Sequence, residues 1–272
     1  MVDILLAALF GVLEGVTEWL PISSTGHLIL LRNFLHVPMR DAFFELFEVV
    51  IQLAAIAAVL LLFAQRLNPF SSRKSARERA STLRLWWRVL QATVPAALVG
   101  VLLDDVLDAY LYRATVVAVA LIVYGVLFIL LERWRVRVPT TLDVTDMTTR
   151  QALLVGAFQV LALIPGTSRS GATLLGGMLA GLARPVAAEF SFFLGIPTMC
   201  GASLLKCLKF FGEGNTLTGA EQSMLVVGSF TAFFCSLITI RVLLDFVRRH
   251  TFAAFGVYRI LLGIAVLLTF IL

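Results

Sequence analysis

Residues 14–27 have the sequence EGVTEWLPISSTGH, and this stretch decides the fold because it interrupts an otherwise apolar chain. Glu14 and Glu18 lie four residues apart on a predicted helix, so both carboxylates project from one face. Pro21 ends that helix, because proline lacks a backbone N–H and clashes with the preceding turn. The hydroxyl residues that follow are typical of the start of a new helix. The stretch therefore predicts two short helices that meet at a polar tip.

A second stretch repeats this design in the other half of the chain. Residues 165–173 have the sequence PGTSRSGAT, with Arg169 in place of the acids. The flanking residues also align when one insertion is allowed, since GVLEG at 11–15 matches GAFQV at 156–160. We therefore predict two re-entrant helical hairpins. They comprise residues 3–20 with 22–35, and 152–164 with 168–182.

The composition indicates a membrane protein. The chain is 60% hydrophobic and 14% charged, whereas soluble domains carry about 25% charged residues. Its mean hydropathy is +0.95, and apolar runs recur along its whole length, which predicts one membrane domain, residues 1–272. Besides the hairpins, six segments are predicted to span the bilayer. They are residues 46–65, 89–104, 114–132, 190–210, 223–246 and 253–272.

The basic residues predict the topology. They cluster just outside apolar segments, as expected for cytoplasmic loops rather than for a nucleic-acid surface. Placing them in the cytoplasm gives the two hairpins opposite orientations, so residues 1–135 and 150–272 form an inverted repeat with a polar site near the midplane. The predicted fold is therefore all-α and polytopic. The clusters are Arg66, Arg73, Lys74, Arg77, Arg79, Arg84 and Arg88, then Arg133, Arg135 and Arg137, then Arg248 and Arg249, while Asp104, Asp105 and Asp108 fall on the opposite side.

The two acids of the first hairpin are candidates for chemistry. An ionised side chain at mid-bilayer costs about 2.5–3.5 kcal/mol on insertion scales, so two on one segment call for a reason. One reason is a hydrated helix end near the membrane surface. The other is a divalent-metal site or a general acid and base, because carboxylates bind hard cations and handle protons. Glu14 and Glu18 are thus candidate catalytic residues and candidate metal ligands.

The polar residues after Pro21 favour an anion. A helix N-terminus carries about half a positive charge, so free N–H groups at this tip suit a phosphate. Simple helix capping is the alternative, although one side chain ordinarily suffices for that. His27 follows Ser24 by three residues, which predicts an imidazole within reach of the hydroxyl. A helix-to-helix hydrogen bond is the other role open to this histidine.

Arg169 gives the second tip its predicted role. Arginine presents a permanently charged planar fork that matches phosphate oxygens. If the tips meet, Arg169 and two helix N-termini face one anion opposite Glu14 and Glu18, an arrangement typical of phosphoryl transfer. The alternative is that Arg169 only pairs with a glutamate to hold the hairpins together. Glu48, Gln52 and Glu189 are expected to brace the hairpins, and the three cysteines, Cys200, Cys207 and Cys235, are expected to be buried apolar residues.

Both polar stretches closely resemble the two signatures of the bacterial undecaprenyl-diphosphate phosphatase family, also called the bacitracin-resistance protein family. The resemblance extends to FEVVIQL at 47–53 and AEFSF at 188–192. It implies hydrolysis of undecaprenyl diphosphate to the monophosphate and inorganic phosphate, recycling of the peptidoglycan lipid carrier, and bacitracin tolerance. It also implies a divalent cation, Mg²⁺ or Ca²⁺. The implied catalytic residues are Glu14, Glu18, Ser24, His27 and Arg169, with substrate contacts from Ser23, Thr25, Gly26, Ser168, Ser170, Gly171 and Thr173.

Several points stay open at this level. The nucleophile is Ser24, a metal-activated water or His27. A polyprenyl-phosphate transporter is the competing function, because inverted repeats with broken helices also build transporters. Lipid phosphatases of the acid-phosphatase type are disfavoured, since their second histidine has no counterpart after Arg169. The expected setting is the bacterial inner membrane, with the site open to the periplasm, contact with membrane lipid and a possible homodimer.

Overall fold

The computed structural model describes residues 2–35, 39–111, 113–134 and 138–271, apart from the side chains of residues 33, 104–111, 134 and 271. The described chain is almost entirely helical, and six of its helices are long and apolar enough to cross a membrane. The fold is therefore all-α and multi-pass. The helices are α1 (Val2–Thr17), α2 (Ser24–Leu35), α3 (Asp41–Leu62), α4 (Ala64–Leu67), α5 (Ala76–Leu111), α6 (Ala114–Trp134), α7 (Thr149–Val160), α8 (Arg169–Leu179), α9 (Arg184–Gly212), α10 (Gly219–Arg249) and α11 (Ala253–Ile271).

The six predicted spans correspond to α3, α5, α6, α9, α10 and α11. The largest difference is in α5, which was predicted to begin at residue 89 and begins at Ala76. The first half of α5 is basic and follows the polar loop, so hydropathy identifies only the apolar second half as a helix. Arginine is nonetheless a good helix former, and this explains the longer helix.

Both predicted interruptions are present. Between α1 and α2 the chain turns through residues 18–23, and between α7 and α8 it passes through a 3-10 turn, Leu161–Leu163, and then Pro165 and Gly166. Gly166 has φ +90, and a Cβ on it would lie 2.5 Å from the carbonyl oxygen of Val117. Only glycine combines that backbone conformation with so close an approach. The helix pairs are therefore observed, while their re-entrant path through a bilayer stays a prediction.

Helix packing has the symmetry that a repeat requires. α1 packs against α10, where a Cβ on Gly11 would lie 2.3 Å from the carbonyl oxygen of Gly228. The matching helices of the other half, α7 and α5, meet in the same way at Gly156 and Ala92. α6 packs along α11, and each half also contributes one member of the central α3 and α9 pair. Exchanging the halves leaves this pattern unchanged, which supports the proposed inverted repeat.

Some expectations about residues outside the tips need correction. Glu189 does not reach the tips, since its carboxylate accepts a 2.7 Å hydrogen bond from Arg66, which also pairs with Asp143 at 2.8 Å. Cys200 is exposed and the other two cysteines are only half-buried, so the expected burial was wrong. These cysteines lie on α9 and α10, which are both candidate spans, and in a membrane protein an apolar position need not be buried inside the protein. Of the charges used for topology, Arg135 and Arg137 lie outside the described residues, as do the side chains of Asp104, Asp105 and Asp108.

Candidate active site

The two tips meet at the carboxylate of Glu18. One oxygen, Oε2, accepts a 2.8 Å hydrogen bond from the Ser24 hydroxyl, the first residue of α2. The other, Oε1, accepts a 2.9 Å bond from Nη2 of Arg169, the first residue of α8. All three side chains are buried: Glu18 and Ser24 are each 6% exposed, and the side chain of Arg169 is 10% exposed. The expectation that acidic and cationic side chains from the two halves come together is confirmed.

The two tips have the same backbone conformation. Ser23 has φ 71 and Ser168 has φ 70, and each immediately precedes the first residue of a helix. The Ser168 hydroxyl caps α8 by accepting from the Gly171 amide at 3.2 Å, and the Ser23 hydroxyl accepts from the Gly26 amide at 3.4 Å. A positive φ at a residue other than glycine costs on the order of 1–3 kcal/mol and persists only where the surroundings enforce it. Both tips therefore hold strained turns.

The other hydroxyls of the second tip hold the site together. Ser170 Oγ donates toward the carbonyl oxygens of Glu18 and Leu20, both at 3.1 Å, and so ties the second tip to the first. Thr173 Oγ1 donates to the Arg169 carbonyl at 2.8 Å and lies 2.6 Å from the hydroxyl of Ser191. Arg169 itself donates through Nη1 to the Ser191 carbonyl at 2.7 Å. Residues predicted to contact substrate thus also have internal partners.

Thr25 and Gly26 of the first tip are also predicted substrate contacts, but neither of them ties the two tips together. Thr25 is partly exposed, and its hydroxyl makes no hydrogen bond to another described residue, so it is free to bind a ligand. Gly26 is buried, and a Cβ added to it would lie 3.6 Å from Ser23 Oγ. A Cβ added to Gly171, the equivalent glycine of the second tip, would lie 3.3 Å from Nη1 of Arg259. The two glycines leave room for side chains at the tips.

His27 is placed differently from the expectation. Its Nδ1 lies 2.7 Å from the carbonyl oxygen of Ser23, and its Nε2 lies 2.6 Å from the hydroxyl of Tyr258. Because a carbonyl only accepts, Nδ1 carries the hydrogen in the neutral ring, and Tyr258 donates to Nε2. The rings of His27 and Tyr258 also stack, with centroids 5.6 Å apart. The hydroxyl of Ser24 is therefore bonded to Glu18 and not to His27.

Glu14 is a buried acid of the site. It is 0% exposed, and in the part of the chain that the structure describes no donor group bonds to either carboxylate oxygen. The carboxyl of Glu18 is its neighbour, and the two can share a hydrogen bond only when one of them is protonated. The charge of Glu14 interacts with those of Glu18, Glu48 and Arg169. A buried carboxylate without a donor needs a cation or a proton. No cluster of three acidic, histidine or cysteine ligands occurs in the described residues, but Mg²⁺ commonly binds through one or two carboxylates together with substrate phosphates. The residues present fit that type of site.

The sequence matches a known protein family over nearly its whole length. Residues 7–265 match the family described as "Bacitracin resistance protein BacA". The chain belongs to this family. An undecaprenyl-diphosphatase of Streptococcus thermophilus is 51% identical over 268 residues, covering 98% of this chain and 93% of that protein. An undecaprenyl-diphosphatase of Enterococcus faecalis is 52% identical over 258 residues, covering 94% of each. Both tips of this BacA family member lie inside the matched region.

Sequence reasoning missed two residues of α11 that touch the tips. Tyr258 is the second residue of a Val-Tyr pair that recurs at 123–124, and its hydroxyl contacts His27. Arg259 was not noted, and it is fully buried against both tips of the BacA fold. The signal was available, because a charged residue inside an apolar span is by default a functional candidate. The basic clusters lie at the ends of spans, whereas Arg259 lies within the apolar sequence of α11.

Proposed function

We propose that this chain is an undecaprenyl-diphosphate phosphatase, which hydrolyses undecaprenyl diphosphate to undecaprenyl monophosphate and inorganic phosphate. The observation that carries the proposal is that Glu18 joins Ser24 of one tip to Arg169 of the other. The activity named for the relatives supports the choice of substrate. The reaction returns the lipid carrier to peptidoglycan synthesis. It also explains bacitracin tolerance, because less of the diphosphate lipid is left for the antibiotic to sequester.

The tips suit the terminal phosphate of such a lipid. The N-termini of α2 and α8 supply partial positive charge and free N–H groups. The Arg169 guanidinium offers a fork to the phosphate oxygens as the substrate displaces part of its bonding to Glu18. Thr25, Ser23 and Ser168 are proposed to complete the contacts with hydroxyls. Such fixed donors stabilise the charge that builds up on the phosphoryl oxygens in the transition state.

Ser24 is the proposed nucleophile. Its hydroxyl donates to Glu18 at 2.8 Å, the geometry of a nucleophile with its general base. Ser24 Oγ attacks the terminal phosphorus, its proton passes to Glu18, and the bond to the bridging oxygen breaks. Undecaprenyl monophosphate leaves and takes the proton from Glu18. Water then attacks the phosphoserine, Glu18 takes a proton from that water and returns it to Ser24 Oγ as the bond between phosphorus and the serine oxygen breaks, and inorganic phosphate is released.

Direct attack by water on the diphosphate is the competing route, and Glu18 serves as its base in the same way. A divalent cation, Mg²⁺ or Ca²⁺, is proposed to be held by Glu14, with Glu18 next to it. When bound, it would neutralise phosphate charge and lower the pKa of bound water. His27 is proposed to hold the carbonyl of Ser23, and so the start of α2, rather than to act as the base for Ser24.

The proposed setting is the inner membrane of a bacterium, with the site accessible from the periplasm. The basic residues of α4 and α5, placed in the cytoplasm by the positive-inside rule, support this orientation. The hydrocarbon prenyl chain of the substrate would remain in the surrounding lipid, while its headgroup enters between the tips. Homodimerisation stays a prediction.

The test is phosphate release from undecaprenyl diphosphate by the purified protein in detergent. We expect turnover by the wild type, and large losses in Arg169→Ala and Ser24→Ala proteins that remain folded. Ser223→Ala is the matched control, because the Ser223 hydroxyl is exposed and, among the described residues, bonds only to the Gly219 carbonyl of its own helix. A trapped phosphoserine would assign the nucleophile, whereas near-full turnover by Ser24→Ala would favour water. Absence of phosphate release by the wild type would overturn the proposal and favour transport.

A further inference from the structure

Arg259 connects the two tips. This α11 residue is 0% exposed. Its Nη1 donates to the carbonyl oxygen of Pro21 at 3.0 Å, in the first tip. Its Nη2 donates to the carbonyl oxygens of Gly166 and Thr167 at 2.8 Å and 2.9 Å, in the second tip. One planar side chain therefore fixes three backbone groups that belong to opposite halves of the chain.

The charge of Arg259 is not cancelled by an acid. In the part of the chain that the structure describes, no carboxylate pairs with it. Its guanidinium contacts the three carbonyl dipoles, lies 5.6 Å from the ring centroid of Tyr124 and adjoins Gly171. Its charge also acts on the imidazole of His27. Arg169 is different, because Glu18 pairs with it at 2.9 Å. The electric field of a buried charge is stronger than that of an exposed one, because little solvent screens it. Arg259 thus contributes positive charge directly behind the tips.

The carbonyls that Arg259 holds lie next to the two strained residues. Thr167 immediately precedes Ser168, and Pro21 lies two residues before Ser23. Strained backbone of this kind persists only where its surroundings enforce it. Ser24 and Arg169 directly follow the strained serines, so the positions of both depend on these turns. Arg259 is placed to set them together.

The repeat shows that Arg259 is not a general packing residue of this helix. Val257 and Tyr258 correspond to Val123 and Tyr124, so the counterpart of Arg259 in the first half is Gly125. Gly125 packs against α11, with its Cβ position 2.6 Å from the carbonyl oxygen of Gly256. The arginine therefore occurs once and serves both tips.

We infer that Arg259 is a positioning residue for phosphoryl transfer: it clamps the strained turns of both tips so that Ser24 and Arg169 face the same phosphate. It acts through the backbone and does not itself touch the substrate. The inference rests on the proposed phosphatase activity.

The experiment compares Arg259→Met, Arg259→Gln and Arg259→Lys in the phosphate-release assay, with kcat, KM and the thermal unfolding midpoint measured for each. Met removes both the donors and the charge, Gln keeps two N–H donors, and Lys keeps the charge without the planar fork. We expect kcat to fall about 100-fold in the Met protein, the loss that a misplacement of about 1 Å causes. KM should change far less, and Gln and Lys, which each lose part of the contact with the two tips, should give kcat values between those of Met and the wild type.

The control is Arg249→Met, because Arg249 is exposed and pairs only loosely with Asp245, at 3.4 Å. It should match the wild type in all three measurements. A folded Met protein with wild-type kcat overturns the inference, and so does a raised KM with unchanged kcat, which signals lost binding rather than lost positioning. If Met prevents folding, folded Gln or Lys proteins with wild-type kcat overturn it equally. Wild-type protein without phosphate release would refute the proposed function instead.

Discussion

Replacing Glu18 by glutamine separates the chemical role of this carboxylate from its structural role. The carboxylate accepts two hydrogen bonds, from Ser24 at 2.8 Å and from Arg169 at 2.9 Å. A glutamine amide has one accepting oxygen and one donating nitrogen. Its oxygen will face Arg169, because the guanidinium only donates. Its nitrogen will then donate to Ser24, which leaves the serine without a base.

The magnitude follows from that reversal. A general base contributes about 100- to 10,000-fold to the rate, so kcat of Glu18→Gln should fall by that factor. Stability should fall less than in Glu18→Ala, where truncating a buried pair costs about 3–5 kcal/mol. Glutamine keeps the bond to Arg169 and the volume of the side chain. The Gln protein should therefore be folded and inactive.

The assay is phosphate release in detergent, run with thermal unfolding of the same samples. Glu45→Gln is the matched control, since Glu45 is exposed and pairs with Lys206 at 3.0 Å on the surface. An exposed pair contributes about 0–1 kcal/mol, so this variant should keep wild-type activity and stability. A folded Glu18→Gln protein with wild-type kcat would refute the assignment of Glu18 as the base.

Three further predictions test other contacts. Tyr258→Phe keeps the stacked ring but removes the hydroxyl that bonds His27 at 2.6 Å, so kcat should drop roughly tenfold for a loss of about 1–2 kcal/mol; an unchanged kcat would contradict this. Gly166→Ala places a Cβ 2.5 Å from the Val117 carbonyl oxygen at φ +90, so the unfolding midpoint should fall markedly. An unchanged midpoint would show that this turn does not require glycine. Glu14→Gln removes the unpartnered charge; its unfolding midpoint without cations should equal or exceed that of the wild type, and the rise on adding Mg²⁺ or Ca²⁺, expected for the wild type by linkage, should be absent.

Much of the fold was predictable because membrane insertion leaves strong marks in a sequence. A span needs about 20 apolar residues, and backbone groups in lipid must bond internally, so hydropathy alone locates helices. All six predicted spans and both interruptions correspond to observed elements. The exception was the start of α5, where a basic sequence remains helical outside the apolar part.

The candidate site was predictable in its members but not in its connections. Polar residues in apolar sequence are conspicuous, and the two tips were identified from them. Spacing along the chain does not specify rotamers or helix packing. These decide which oxygen of Glu18 faces Ser24, and they place His27 against Tyr258 rather than against Ser24. Arg259 illustrates the same limit, since it lies 238 residues from Pro21, whose carbonyl it binds.

The sequence by itself determined that this is a helical membrane protein with two polar tips that suit a phosphate. Local properties carry that information: hydropathy, proline, helix-starting hydroxyls and the charge of single residues. Only the tertiary structure decided that Glu18 joins the tips, that Glu14 has no hydrogen-bond donor among the described residues and that Arg259 donates to backbone carbonyls of both tips. Those facts depend on contacts between distant segments, which form because the two halves pack against each other around their shared polar groups.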